Sequence, residues 1–371
     1  MPVDVGLAKL SNDLIAGGIV AYAVGFLGFA VDAAFGNHAA TDRVGYRTSK
    51  RAATAAVAAR VPAMAGAGAE ADFGTPGITS DLRLEESHGS ASTADSAGVA
   101  AGAGSSSSDL AGSRSDWLMR RVGVGAVVAT IVGWLLEGGS IVSRGLAVHR
   151  LPWGNMYEFT LALTFASVTA FLLILSRQPV RYLGVFLMAP VVLALGLAVL
   201  VLYVPPAPLM PALHSYWLAI HVTAAIIASG VFMVGTAATM MFLVADRYAV
   251  ATTAGKPVRF AALARMMPDP ETLDRTAYRT FAFAFPIWTF AVIAGAIWAE
   301  YAWGHYWQWD PKETWAFITW IVYAGYLHAR ATAGWRGRNA AYVAMLGFAT
   351  IIFNFFIVNI FISGMHSYAG V

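Results

Sequence analysis

WAEYAWGHYWQWDPKETWAFITW, residues 298–320, holds six of the chain's twelve tryptophans. An apolar run enters it and another leaves it, so the stretch reads as helix, connector, helix. The second helix announces its start. Asp310 is a capping residue, Pro311 suits the first helical position, and Glu313, three residues after the cap, completes a capping box. Trp153-Gly-Asn155-Met-Tyr-Glu158 repeats the pattern, with Asn155 as cap and Glu158 as its partner. For these carboxylates the capping role fits better than direct ligand contact.

The crowding of indoles admits two readings. A membrane-interface belt is the ordinary reason for tryptophan at the end of a span. A belt spreads its rings around a perimeter, however, whereas Trp303, Trp307 and Trp309 fall within seven residues of one connector. A shelf that stacks on a flat, partly apolar ligand accounts better for the cluster. The adjoining helix N-terminus and Lys312 would favour an anionic edge on that ligand.

Composition supports a membrane setting. Of 371 residues 58% are hydrophobic and 12% charged, against about 25% charged in soluble domains, and mean hydropathy is +0.62. The expected fold class is all-α, a polytopic membrane protein with about eight transmembrane helices. A helix needs about 20 apolar residues to cross, and eight such spans are read near 13–35, 122–142, 158–176, 182–203, 217–245, 281–299, 315–332 and 340–362. Span five is long enough to tilt or protrude. Of the 24 lysines and arginines, 20 fall in 36–121, 177–181, 246–280 and 330–338. The positive-inside rule makes that side cytoplasmic and leaves both termini and the tryptophan loop external. The first twelve residues carry one lysine and no basic cluster, so no removable signal peptide is read.

Three pieces follow: an N-terminal span, 1–35; an Ala/Gly/Ser-rich segment, 36–116, expected to be a disordered cytoplasmic linker; and a seven-span body, 117–371, with the external loop 298–314. Gly123-Val-Gly125 is not a phosphate loop, since it lies inside an apolar span. The net charge of +3 bears on topology and points to no nucleic-acid partner. With no cysteine there is no disulfide, thiolate metal site or redox thiol, so any thiol chemistry belongs to a partner.

Three of the eight histidines stand out. His221 lies one turn inside span five and His366 follows span eight, both toward the plane of the tryptophan loop. His328 lies 13 residues beyond Trp315, about 20 Å deeper at 1.5 Å per residue. Each alone reads as a hydrogen-bonded core histidine, yet polar groups within a membrane are costly and mark function. Imidazoles converging on an aromatic shelf suit haem, which is flat, ligated axially by histidine and edged with propionates. Zinc fits less well, having no evident third ligand. A quinone-linked b-type electron-transfer subunit would want histidine pairs on facing helices. A solute transporter would want ionisable residues at the midplane of several spans. His38, His88, His149, His214 and His305 receive no ligand role.

Trp303-Gly304-His305-Tyr306-Trp307-Gln308-Trp309-Asp310-Pro311-Lys312-Glu313-Thr314-Trp315 resembles the tryptophan-rich signature of haem-handling proteins of cytochrome c biogenesis, of the CcsA/ResC type of system II. Ser215 to Val222, Glu271 to Asp274 with Tyr278-Arg279, Gly295 to Trp298, Tyr326 to Arg330 and Ser363 to Tyr368 carry the same resemblance, which runs from about 117 to 371. It implies a haem exporter and a component of holocytochrome c synthase (haem lyase). Haem b, as cargo, would be bound by Trp303, Gly304, Trp307, Trp309, Asp310, Lys312, Glu313 and Trp315, with external iron ligands His221 and His366. His328 would ligate iron deeper in the membrane, shared with a CcsB/ResB-type partner. It further implies an apocytochrome c substrate whose Cys-x-x-Cys-His cysteines form thioethers with haem vinyl groups, no covalent nucleophile in this chain, a thiol-reducing thioredoxin-like partner, and a bacterial plasma-membrane location.

Overall fold

The computed structural model describes residues 3–35, 106–207, 215–257 and 267–366. Among these, eight long helices and no strand occur: α1 (Val5–Phe35), α2 (Ser106–Val148), α3 (Met156–Arg177), α4 (Leu183–Leu200), α5 (Tyr216–Thr253), α6 (Pro270–Trp303), α7 (Pro311–Thr332) and α8 (Arg338–Ile352). A π-helical turn, Phe353–Val358, and a last helical turn, Asn359–Phe361, extend α8. All eight expected spans fall on these helices, as an all-α polytopic membrane protein requires. Seven are long and apolar enough to cross a bilayer. The eighth, α7, has the length at 22 residues, but Lys312, Glu313, His328 and Arg330 lower its hydropathy. At about 57 Å, the 38-residue α5 exceeds a hydrocarbon core of about 30 Å.

The chain divides into two compact units, residues 1–37 with 117–371, and 38–116. The first span thus belongs with the body. In the second unit helix begins at Ser106, inside the segment read as linker; residues 36–105 lie outside the described residues.

Within the first unit, α1 runs antiparallel to α2. Asp4 N–H donates to the Ala147 carbonyl (3.0 Å), and Ser11 bonds Ser140. Small residues permit the close approach: a Cβ on Gly28 would sit 2.8 Å from that of Ala126, and one on Gly133 would strike the Tyr22 ring at 2.6 Å. Without a hydrophobic force between helices in lipid, such close packing is what holds them together. The centre of the body is aromatic. Phe232 of α5 stacks on Tyr323 of α7 at 4.0 Å, with Phe281 of α6 against both.

Ion pairs tie the helix ends. At one end Arg330 grips Asp274 through two bonds, 2.7 and 2.8 Å, with its guanidinium over Tyr278; Arg338 pairs with Asp246. At the end shared with the tryptophan loop, Glu158 is buried between Arg144 (2.9 Å) and Arg150 (2.8 Å). Asn155 caps α3 as expected, accepting from Glu158 N–H. The capping box is not closed, however. The Glu158 carboxylate takes the two guanidiniums and Gly154 N–H instead, because cationic donors bind a carboxylate more strongly than a neutral amide does. The arginines also bond the Val204 and Ala207 carbonyls, fastening the segment after α4.

Candidate functional site

A largely apolar cavity of about 450 Å³ opens among α3, α4, α5, α6, α7 and the extension of α8. This is within the roughly 300–1,000 Å³ of small-molecule sites. His221, His366, Trp298, Trp307, Lys312 and Asn354 are among its lining residues.

His221 lies in the second turn of α5, held from α6. Its Nδ1 donates to the Ala291 carbonyl at 2.8 Å, so the lone pair is on Nε2. Gly295 makes the seat: a Cβ there would come within 2.7 Å of the imidazole. His366 comes from the other end of the body, and its Nδ1 donates to Asp310 Oδ2 at 2.9 Å, which makes Nε2 the nitrogen that could serve as a ligand. A metal-binding histidine ordinarily anchors its second nitrogen on a carbonyl or carboxylate in this way. Trp298 stands against both rings, with centroids 6.1 Å from His221 and 5.7 Å from His366.

Asp310 does two jobs in this arrangement. One oxygen caps α7 through Lys312 N–H and receives His366; the other accepts Met365 N–H at 2.6 Å. Burial pushes its carboxyl up, but the bonds from His366 and these N–H groups prevail and hold it below the usual aspartate range. Glu313 closes the capping box by accepting from Asp310 N–H and also takes Gln308 N–H. Both acids are thereby occupied by local donors. Lys312 Nζ meets Asn359 Oδ1, and no carboxylate lies within ion-pair distance of it among the described residues. Its charge faces the cavity.

The expected shelf is not one plane. Trp303 packs on Trp298 and on His366, at 4.8 and 4.9 Å. Trp307 lines the cavity but stands perpendicular to Trp309. Trp309 is 65% exposed and Trp315 turns away to Phe353. The backbone explains the divergence. Gly304 ends α6 in the left-handed region, φ 79°, and Trp309 adopts φ 60° just before the cap, so the connector reverses twice within six residues. His328 is on the exposed surface of α7, away from the cavity. His305 packs near Trp303 and lines no part of it.

Sequence reasoning missed Trp298 and Gly295 as site residues, and missed Asn354 and Asn359. The π turn brings these asparagines to the cavity wall, and π turns recur at functional sites. Asn354 is 8% exposed, and its Oδ1 has no hydrogen-bond partner among the described residues. Two amides in an otherwise apolar span were the available signal.

A family described as cytochrome c assembly protein matches residues 153–366, which spans every cavity-lining residue. The chain is 35% identical over 269 residues to the cytochrome c biogenesis protein CcsA of Trieres chinensis, covering 66% of this chain and 85% of that protein. It is 36% identical to the CcsA of Guillardia theta, with 61% and 79% coverage. It is 35% identical to the CcsA of Synechococcus sp. (strain JA-2-3B'a(2-13)), with 62% and 80%.

Proposed function

This chain belongs to the cytochrome c assembly protein family, and from that premise we propose that it receives haem b as cargo, holds it at an external bis-histidine site and presents it to apocytochrome c. One observation carries the reading. Two imidazoles from segments far apart in sequence line one apolar cavity, each with Nδ1 tied to an acceptor, which makes Nε2 the candidate ligating nitrogen of both. His221 and His366 are the iron ligands in this account. Trp298, Trp303 and Trp307 confine the porphyrin, and Lys312, with Asn354 beside it, meets a propionate. Asp310 orients His366, while Glu313 and Gly304 shape the connector. Trp309, exposed at the rim, suits contact with the incoming peptide, and Trp315 buttresses α7.

The chemistry is addition of a substrate thiol across a haem vinyl group. The S–C bond forms at one vinyl carbon and the thiol hydrogen ends on the other, with no net oxidation. Two cysteines of a Cys-x-x-Cys-His segment react in turn. The chain supplies no nucleophile; it excludes water and holds the reacting groups together, replacing a bimolecular encounter with a fixed geometry. In this reading His328, which is exposed on α7, shares iron with a CcsB/ResB-type partner at a deeper site before haem passes outward. A thioredoxin-like reductase keeps the substrate cysteines reduced. The positive-inside assignment puts the cavity and both termini on the external face of a bacterial plasma membrane.

The test is the visible spectrum of the protein purified with its partner, for wild type, His221→Ala, His366→Ala and His328→Ala, with cytochrome c maturation measured in the same cells. The first two variants are expected to lose outer-site haem absorbance and maturation. His328→Ala is expected to bind added haem externally but to receive none from the cell. Retention of absorbance and maturation by His221→Ala and His366→Ala would overturn the assignment.

A further inference from the structure

Glu137 lies on α2, eleven residues before its end at Val148, or about 17 Å along the helix from that end, and within the apolar span 122–142. It is fully buried. Its Oε2 accepts from the Tyr22 hydroxyl of α1 at 2.6 Å, and its Oε1 meets the Thr164 hydroxyl of α3 at 2.6 Å. No lysine, arginine or histidine bonds it among the described residues. The nearest charge on its own helix, Arg144, is engaged by Glu158. From α1 the titratable group facing it is Tyr22, and from α3 it meets a hydroxyl. A carboxyl buried in a membrane protein without a counter-cation is costly when ionised, and ionisable groups within a membrane span mark function by default.

The surrounding bonds suit either protonation state. With Glu137 ionised, Tyr22 and Thr164 both donate to it. With Glu137 neutral, its own O–H donates to Thr164 Oγ1. A hydroxyl carries a single proton, and that of Thr164 then turns to the Thr160 carbonyl at 2.8 Å or the Leu161 carbonyl at 3.0 Å. One hydroxyl rotation accommodates the change, and no heavy atom moves. The routes in and out differ. Toward α1 the Tyr22 ring is sealed against Gly133. Toward α3, Thr160 and Thr164 both line the cavity.

We propose that Glu137 is a proton-binding site of the cavity, reached through Thr164, which is protonated while Lys312 is the cavity's one cation among the described residues and releases its proton when a further cationic centre enters. The balance is simple. One proton passes from Glu137 Oε1 to Thr164 Oγ1 while the Thr164 hydroxyl proton passes to cavity water, and the carboxylate left behind offsets the arriving charge. The proton site itself does not depend on the haem reading; only the choice of cationic probe does.

Infrared difference spectroscopy of the purified complex tests this. The unliganded wild type is expected to show a protonated-carboxyl band near neutral pH that exchanges in heavy water. Glu137→Gln, which retains an amide for the same bonds, is expected to lose the band. Thr164→Val should shift it and slow its exchange, and carries the test if Glu137→Gln does not fold. Ferric protoporphyrin should diminish the band with release of a proton to the medium, whereas iron-free protoporphyrin should not. A band that survives in Glu137→Gln, or one indifferent to Thr164→Val, overturns the proposal. So does ferric protoporphyrin that binds without changing the band. If ferric protoporphyrin does not bind while the band still follows Glu137 and Thr164, the haem reading fails and the proton site stands.

Discussion

Replacing Asp310 by asparagine separates its two jobs. Asparagine and aspartate cap helices about equally well, so α7 keeps its start and the fold survives. What is lost is the anionic acceptor shared by His366 Nδ1–H, Met365 N–H and Lys312 N–H. Hydrogen bonds to a charged group are worth about 1.5–3 kcal/mol each. A single amide oxygen can serve one side of this fork, and the amide NH₂ now points at another donor. Outer partners of a metal-bound histidine typically carry a 10–100-fold effect on affinity, about 1.4–2.7 kcal/mol. Asp310→Asn is therefore expected to weaken ferric haem binding 10–100-fold. The assay is a titration of ferric haem into the purified complex, followed by absorbance, for wild type, Asp310→Asn, His366→Ala and the double variant, the last two carried to haem concentrations at which residual binding through His221 is measured. If Asp310 acts through His366, its replacement costs nothing further once His366 is gone, and the cycle shows a coupling close to the whole Asp310→Asn effect. Wild-type affinity in Asp310→Asn, or an unchanged penalty in the His366→Ala background, would refute the reasoning. The pH dependence has a set sign. The folded-state pKa of Asp310 is lowered from 3.8, so its stabilisation is fully present above that value and is lost as pH falls through the depressed one. Thermal stability of the wild type should decline more steeply than that of Asp310→Asn below pH 3.8, and the two should run parallel near neutrality.

Gly295→Ala drives a methyl into the His221 imidazole and breaks its bond to Ala291, so haem absorbance should fall about as far as in His221→Ala while helix content, read by circular dichroism, is kept. Glu158→Ala strands two guanidiniums in a buried site and should cost about 3–5 kcal/mol, seen as a large drop in thermal denaturation temperature in detergent. Trp309 holds a left-handed backbone that costs a non-glycine residue about 1–2 kcal/mol; Trp309→Gly should therefore be more heat-stable than Trp309→Ala, and equal stability would count against strain there.

Much of this architecture was legible because hydropathy and capping are local. Each span is a predominantly apolar run, and Asp310-Pro-Lys-Glu313 marks the start of α7 within four residues. The site was legible only in outline. The imidazoles could be named, but what fixes their tautomers could not, since Ala291 and Asp310 reach them across 70 and 56 residues. Trp298 looked like an end-of-span indole and is the ring both histidines abut. Glu158 fitted a local capping motif until Arg144 and Arg150 took it. Glu137 sat unnoticed within span 122–142, because one acid barely lowers a window average and its partners Tyr22 and Thr164 come from other helices.

The seating of His366 has a consequence for biosynthesis. Gly364 packs so closely on Asp310 that a Cβ would lie 2.5 Å from its carboxylate, and Met365 and His366 latch onto that same acid. A ribosome must therefore finish the eighth helix and thread the following residues back to the connector before the second imidazole exists. On the bis-histidine reading proposed above, a half-made chain that is already inserted and already displays His221 would not hold a reactive porphyrin with both ligands. On that reading, loading would wait until residue 366 has reached its seat on Asp310.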